Sequence, residues 1–95
     1  MKTVVIWGYS YTPNTSTLQK SLGIEISKWL NEQEVKVFGY DSNIKKFPKF
    51  IKKMQKPVSK ISKSDALIIL NNSQEFKNIP AFKIRKLNKK LFIID

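Results

Sequence analysis

The sequence predicts an α/β fold: a Rossmann-like three-layer α-β-α arrangement around a mainly parallel sheet of four strands, in the order 2-1-3-4. Two observations carry this. Short, wholly apolar runs such as Val4 to Trp7 and Ala66 to Leu70 read as strands buried on both faces. Stretches with helical spacing of apolar residues separate them, and strict alternation of strand and helix implies parallel strands joined by right-handed crossovers.

The first strand, Val4 to Trp7, ends at Gly8. Pro13 then holds Thr12 in an extended conformation and removes a donor, so helix cannot begin before Asn14. Leu18, Leu22, Ile26, Trp29 and Leu30 recur at helical spacing and predict a first helix from about Ser16 to Gln33 with one buried stripe. Thr15, Ser16 and Thr17 can each cap it. Both tryptophans, Trp7 and Trp29, fit a core role, and Tyr9 and Tyr11 are placed to pack across the strand ends.

Val35 to Tyr40 reads as the second strand, closed by Asp41 and the turn residues Ser42 and Asn43. Phe47, Phe50, Ile51 and Met54 predict a short helix with Pro48 at its start and lysines outside. Ala66 to Leu70 is the third strand, "NNSQEF" a polar turn, Pro80 the opening of a helix carrying Phe82, Ile84 and Leu87, and Leu91 to Ile94 the fourth strand.

At 95 residues the chain reads as one domain, residues 1–95, a size that buries about two thirds of its unfolded surface. It contains no cysteine and no histidine. That excludes disulfides, thiolate zinc sites, a cysteine nucleophile and the usual imidazole base, so no catalytic residue and no metal site is expected. The longest wholly apolar run, Ala66 to Leu70, is far short of the roughly 20 residues that span a bilayer. With no signal peptide ahead of the first strand, a soluble, cytoplasmic protein away from membranes is expected. The N-x-[ST] triplets at Asn14 and Asn71 are then chance matches in loops.

The net charge of +11 invites a nucleic-acid reading. Of the eighteen basic residues, however, only Arg85 is arginine. Base readout favours the bidentate guanidinium, whereas lysines spread along the chain mostly make a solvated surface, so a nucleic-acid partner is disfavoured.

In a sheet of this order the ligand crevice lies beyond the carboxyl ends of the strands, where the chain reverses direction across the sheet. That sets "GYSYTPNT", "YDSN" and "NNSQEF" side by side. The first segment precedes a helix, whose free N–H groups and positive dipole end favour an anion. With Gly8 as the loop's one glycine, backbone amides and hydroxyls take the place of a glycine-rich wrap. The same residues also suit an ordinary tight strand-to-helix loop, and Asp41 suits either a ribose hydroxyl or a turn.

The whole run "VVIWGYSYTPNTSTLQKS...KVFGYD...SDALIILNNSQEF...LFIID" resembles the C-terminal, UDP-binding domain of the UDP-glucose/GDP-mannose dehydrogenase family. Gly8, Tyr11, Pro13, Asn14, Thr15, Leu18 and Ser21 fall in register with the family's loop and helix, Asp41 with the end of its second strand, Asp65 and Ala66 with its "aDalvil" strand, and Glu75 and Phe76 with the following "eF". The resemblance implies a domain that binds and closes over a UDP-sugar or related nucleotide-sugar, with Ser10, Tyr11, Thr12, Asn14 and Thr15 as the substrate-binding residues. In full-length family enzymes, NAD bound by a separate glycine-rich domain and a cysteine thiolate oxidise the sugar C6 alcohol to a carboxylate. This chain has neither group and needs no cofactor of its own, so it is expected to be part or remnant of such an oxidoreductase.

Several family positions differ. The family's lysine aligns with Thr12, its acidic pair with Ser16 and Thr17, its arginine with Gln19, and its terminal arginine falls just past Asp95. Each lost charged contact to phosphate forfeits about 1.5–3 kcal/mol, or more than tenfold in affinity. Two other classes therefore stand beside this reading: a degenerate domain serving as a homodimerisation or interaction module, and a basic nucleic-acid binder. A receiver-type domain fits less well, because it needs acids where Tyr9 and Ser10 stand.

Overall fold

The computed structural model describes residues 3–9, 22–42, 44–70 and 74–94. Its elements in chain order are β1 (Thr3–Trp7), α1 (Leu22–Glu32), β2 (Lys36–Tyr40), β3 (Lys52–Lys53), a 3-10 turn (Ile61–Lys63), β4 (Ala66–Ile69), α2 (Gln74–Lys77), α3 (Ala81–Leu87) and β5 (Phe92–Ile94). All four pairings are parallel and the sheet order is β3-β2-β1-β4-β5. The α/β class and the parallel sheet are as expected. The strand count is not: the expected order matches the four strands β2-β1-β4-β5, and β3 is a fifth at the edge.

That strand lies where a helix over Phe47 to Met54 was expected. Ile51 packs in the cluster on the α1 side of the sheet, and Met54 in the cluster on the opposite side. A helix would put both on one stripe. Instead the chain turns at Pro48, whose carbonyl accepts the Ile51 N–H at 3.0 Å, and crosses the sheet edge as Lys52 and Lys53 pair with Phe38 and Gly39.

The strands sort their side chains by alternation. Val4, Ile6, Val37 and Ala66 face α1, with Ile44 and Ile51 from the chain leading to β3. Val5, Trp7 and Leu67 face Met54, Ile61, Phe76, Ile84 and Leu91 on the other side. Trp7 is fully buried there, stacked on Phe76 at 5.0 Å with its indole N–H donating to the Pro57 carbonyl at 2.7 Å. Phe76 belongs to α2, so part of "NNSQEF" is one helical turn that inserts an aromatic ring, where only a polar turn was expected.

The stripe of α1 is rotated from the expected one. Gly23 and Ser27 are its buried residues and Leu30 is half-buried, while Leu22 is 57% and Trp29 60% exposed. The core role expected of Trp29 is thus overturned. In α3 only Ile84 is buried, and Phe82 and Leu87 are exposed.

At the amino ends of the strands, Asp65 stitches three of them together. Its N–H donates to the Thr3 carbonyl at 2.8 Å, its carboxylate accepts the Thr3 N–H at 2.9 Å, and its carbonyl accepts the Phe92 N–H at 3.1 Å. The Asn88 amide ties the end of α3 to the Ile61 and Ser64 carbonyls at 2.9 and 2.7 Å.

Candidate functional site

The carboxyl ends of the strands are built around Tyr9. Gly8 has φ 91°, a conformation that side-chain-bearing residues rarely adopt, and its N–H donates to the Tyr40 carbonyl at 2.9 Å. The chain therefore turns at the end of β1 and drives the Tyr9 ring between α1 and β2. Space for the ring comes from two further glycines. A Cβ on Gly23 would lie 2.7 Å from Tyr9 Cδ1, and one on Gly39 would lie 2.7 Å from Tyr9 Cε2 and 2.8 Å from Ile51 Cγ2.

The ring also meets Phe47 edge-on at 4.8 Å, and its hydroxyl shares a buried hydrogen bond with Ser27 at 2.9 Å. Burial pushes the Tyr9 hydroxyl pKa well above the ordinary tyrosine value, with the Ser27 bond offsetting a little. Tyr9 is neutral at every physiological pH and acts as an anchor. This explains the rotation of α1: Gly23 and Ser27 face the sheet because the ring needs space at one and its hydroxyl needs a partner at the other.

Asp41 completes the anchor. It is 3% exposed, and its carboxylate accepts the Tyr9 N–H at 2.8 Å while its carbonyl accepts the Ile44 N–H at 3.0 Å. These contacts fit the turn role expected of it and add a fixed exit for the chain after β1.

The described parts of "YDSN" and "NNSQEF", Tyr40 to Ser42 and Gln74 to Phe76, lie together as expected. The Ser42 hydroxyl donates to the Glu75 carboxylate at 2.8 Å, which links the end of β2 to α2. Tyr40 stands beside them, edge-on to Phe76 at 6.1 Å. Its hydroxyl pKa is raised by partial burial, then by the charge of Glu75 and the hydrogen bond it makes with that carboxylate, and least by Asp41. Tyr40, Ser42 and Glu75 thus form a hydrogen-bonded rim that was not assigned to the site from sequence. The "eF" pair was the available signal, since Glu75 and Phe76 place the carboxylate and the supporting ring on one helical turn.

Ser10, Tyr11, Thr12, Asn14 and Thr15, the expected substrate-binding residues, lie outside the described residues. They occupy the stretch of sequence that joins the Tyr9 anchor to α1. Among the described residues, no group of three or more Asp, Glu, His or Cys side chains could hold a metal, and no helix is long and apolar enough to cross a membrane.

Residues 5–95 match the family model described as "UDP-glucose/GDP-mannose dehydrogenase family, UDP binding domain". The chain belongs to this family, as its UDP-binding domain. A UDP-glucose dehydrogenase from the hyperthermophilic archaeon Pyrobaculum islandicum is similar in structure, with a TM-score of 0.75 and 15% sequence identity over 99% of this chain. At that identity the likeness is one of fold. The chain spans 25% of the length of that dehydrogenase. No curated protein matches it.

For this UDP-binding domain, the Tyr9 anchor has a clear use. It fixes where the chain after β1 leaves the sheet, and Tyr40, Ser42 and Glu75 gather at the carboxyl ends of the neighbouring strands.

Proposed function

We propose that this chain binds the nucleotide part of a UDP-sugar in the crevice beyond the strand ends, as the substrate-closing domain of an NAD-dependent nucleotide-sugar 6-dehydrogenase of the cytoplasm. The family match over residues 5–95 carries the reading. Ser10, Tyr11, Thr12, Asn14 and Thr15 supply hydroxyls, a side-chain amide and backbone N–H groups to the phosphates. The amino end of α1 adds its dipole, and the Tyr9–Asp41 anchor sets the position of the loop.

The domain itself performs no redox step. Hydride transfer and thiolate chemistry belong to the remainder of such an enzyme, because the chain has no cysteine. Its contribution is binding energy and exclusion of water around the sugar nucleotide, which positions the C6 carbon for chemistry elsewhere.

The test is a ligand-observed NMR titration of the chain with UDP, UDP-glucose, GDP-mannose and inorganic phosphate. A selective response to the uridine nucleotides, reduced by Asn14→Ala and Thr15→Ala, is the expected result. Thr12→Lys should tighten UDP by roughly tenfold, since it restores a charge-assisted contact to phosphate. Absence of any nucleotide response in both the parent chain and Thr12→Lys would refute the binding role.

A further inference from the structure

All strand pairings are parallel, so the carboxyl ends of the strands share one side of the sheet, and β1 lies between β2 and β4. Two segments meet beside the end of β1. From β2 come Tyr40 and Ser42, and from the helical turn after β4 comes Glu75. That turn is pinned in place by its next residue: the Phe76 ring stacks on Trp7, the last residue of β1, at 5.0 Å. The Ser42 hydroxyl donates to the Glu75 carboxylate at 2.8 Å, and the Tyr40 hydroxyl is hydrogen-bonded to the same carboxylate. The cluster therefore joins the two strands that flank β1. Open α/β sheets take their ligands at this end, where the strand order reverses direction.

The chemistry of the cluster selects what it can meet. A carboxylate only accepts hydrogen bonds and has about four lone-pair directions, so two hydroxyl donors orient it without saturating it. Glu75 and Tyr40 are half-buried and Ser42 is exposed, which leaves the group within reach of a ligand. Its charge opposes a phosphate and suits a neutral donor. A pair of neighbouring hydroxyls, as on a ribose, matches it. Asp41, the other carboxylate at the end of β2, is 3% exposed and accepts the Tyr9 N–H at 2.8 Å. Glu75 is the more accessible of the two.

We infer that Glu75 accepts the ribose hydroxyls of the bound nucleotide, and that this contact makes the domain prefer ribonucleotides to 2′-deoxyribonucleotides. Ser42 and Tyr40 are positioning residues: their hydroxyls hold the carboxylate where the diol meets it. The inference rests on the proposed function, because it assigns one part of the same nucleotide. It also orients that nucleotide. The ribose lies toward Glu75, and the diphosphate, which the carboxylate repels, lies away from it.

The experiment titrates UDP, 2′-deoxy-UDP and pyrophosphate into the parent chain and into Glu75→Gln, Glu75→Ala and Ser42→Ala by isothermal titration calorimetry. The parent should bind UDP about tenfold more tightly than 2′-deoxy-UDP, the effect of one hydrogen bond to a charged acceptor. Glu75→Ala should bring the two nucleotides to within about twofold of each other, and Glu75→Gln, which keeps a neutral acceptor, should leave a preference of about threefold. Ser42→Ala should shrink the preference less than Glu75→Ala does. Pyrophosphate has no ribose, so it should bind both Glu75 variants as tightly as the parent or more tightly.

The pyrophosphate arm separates direct contact from a structural role. If pyrophosphate and UDP weaken together in both Glu75 variants, Glu75 supports the fold of the site and the inference is overturned. Equal binding of UDP and 2′-deoxy-UDP by the parent, or an undiminished preference in Glu75→Ala, overturns it as well and leaves the proposed function standing. Failure of the parent to bind either nucleotide overturns the proposed function, and this inference with it.

Discussion

Asp41 and Asp65 do similar jobs at opposite ends of the sheet, and they differ in what depends on them. Each accepts a backbone N–H that flanks β1, Asp65 that of Thr3 at 2.9 Å and Asp41 that of Tyr9 at 2.8 Å. Asp65 is exposed and sits among ladder bonds that would hold β1, β4 and β5 together without its side chain. Asp41 is buried, and the N–H it accepts is that of the residue whose ring wedges α1 away from β2. The amino end of the sheet is a redundant stitch. The carboxyl end concentrates its order in one tyrosine, which suits a site whose loop must leave the scaffold at a set place.

The largest effect should come from removing that tyrosine. Tyr9→Ala empties the space between Gly23 and Gly39 and is expected to cost about 3–5 kcal/mol by urea unfolding. Gly39→Ala in the parent chain should cost about 1–3 kcal/mol, since the new methyl meets Tyr9 and Ile51. Combined with Tyr9→Ala, the same methyl enters vacated space, so the double variant should cost less than the sum of the two single ones. Strict additivity would show that the glycines do not serve the ring.

Next comes the pair of aspartates. Asp41→Ala leaves the buried Tyr9 N–H without its acceptor and should cost about 1–3 kcal/mol, against about 0.5–1.5 kcal/mol for Asp65→Ala. Asp41→Ala should also weaken UDP binding, because the loop loses its exit geometry, whereas Asp65→Ala should not. Equal losses at both positions, in stability and in binding, would break the contrast between the two ends.

The pH dependence is a smaller effect with a definite sign. Tyr9 and Tyr40 both have hydroxyl pKa values raised above the ordinary 10 in the folded state. The folded protein therefore holds its phenolic protons more tightly than the unfolded chain does. This contribution is fully present below pH 10 and is lost as pH rises above it, through the folded-state values. Tyr9→Phe should flatten that decline in unfolding experiments between neutral and strongly alkaline pH. The smallest expected change is at the rim: Glu75→Gln removes a charge, so Tyr40 should titrate closer to its ordinary value in an ultraviolet pH titration, with stability altered by about 0.5 kcal/mol or less. An unmoved Tyr40 titration would show that burial alone sets it.

The sequence by itself determined the class, the parallel strands and their relative placement. Val4 to Trp7 and Ala66 to Leu70 are apolar on both faces, and such runs are stable only between two covering layers. It also carried the family, through residues spread over the whole chain. Tertiary structure alone decided the rest. Ile51 and Met54 have helical spacing, but they serve opposite faces of the sheet, and no one-dimensional pattern shows on which side of an edge a side chain ends. Trp29 satisfies a helical stripe as well as Ser27 does, yet the helix turns Ser27 inward because a buried tyrosine hydroxyl must have a hydrogen-bond partner and its ring must have room. Periodicity records which residues can share a face. Which face is buried depends on what the rest of the chain brings against it.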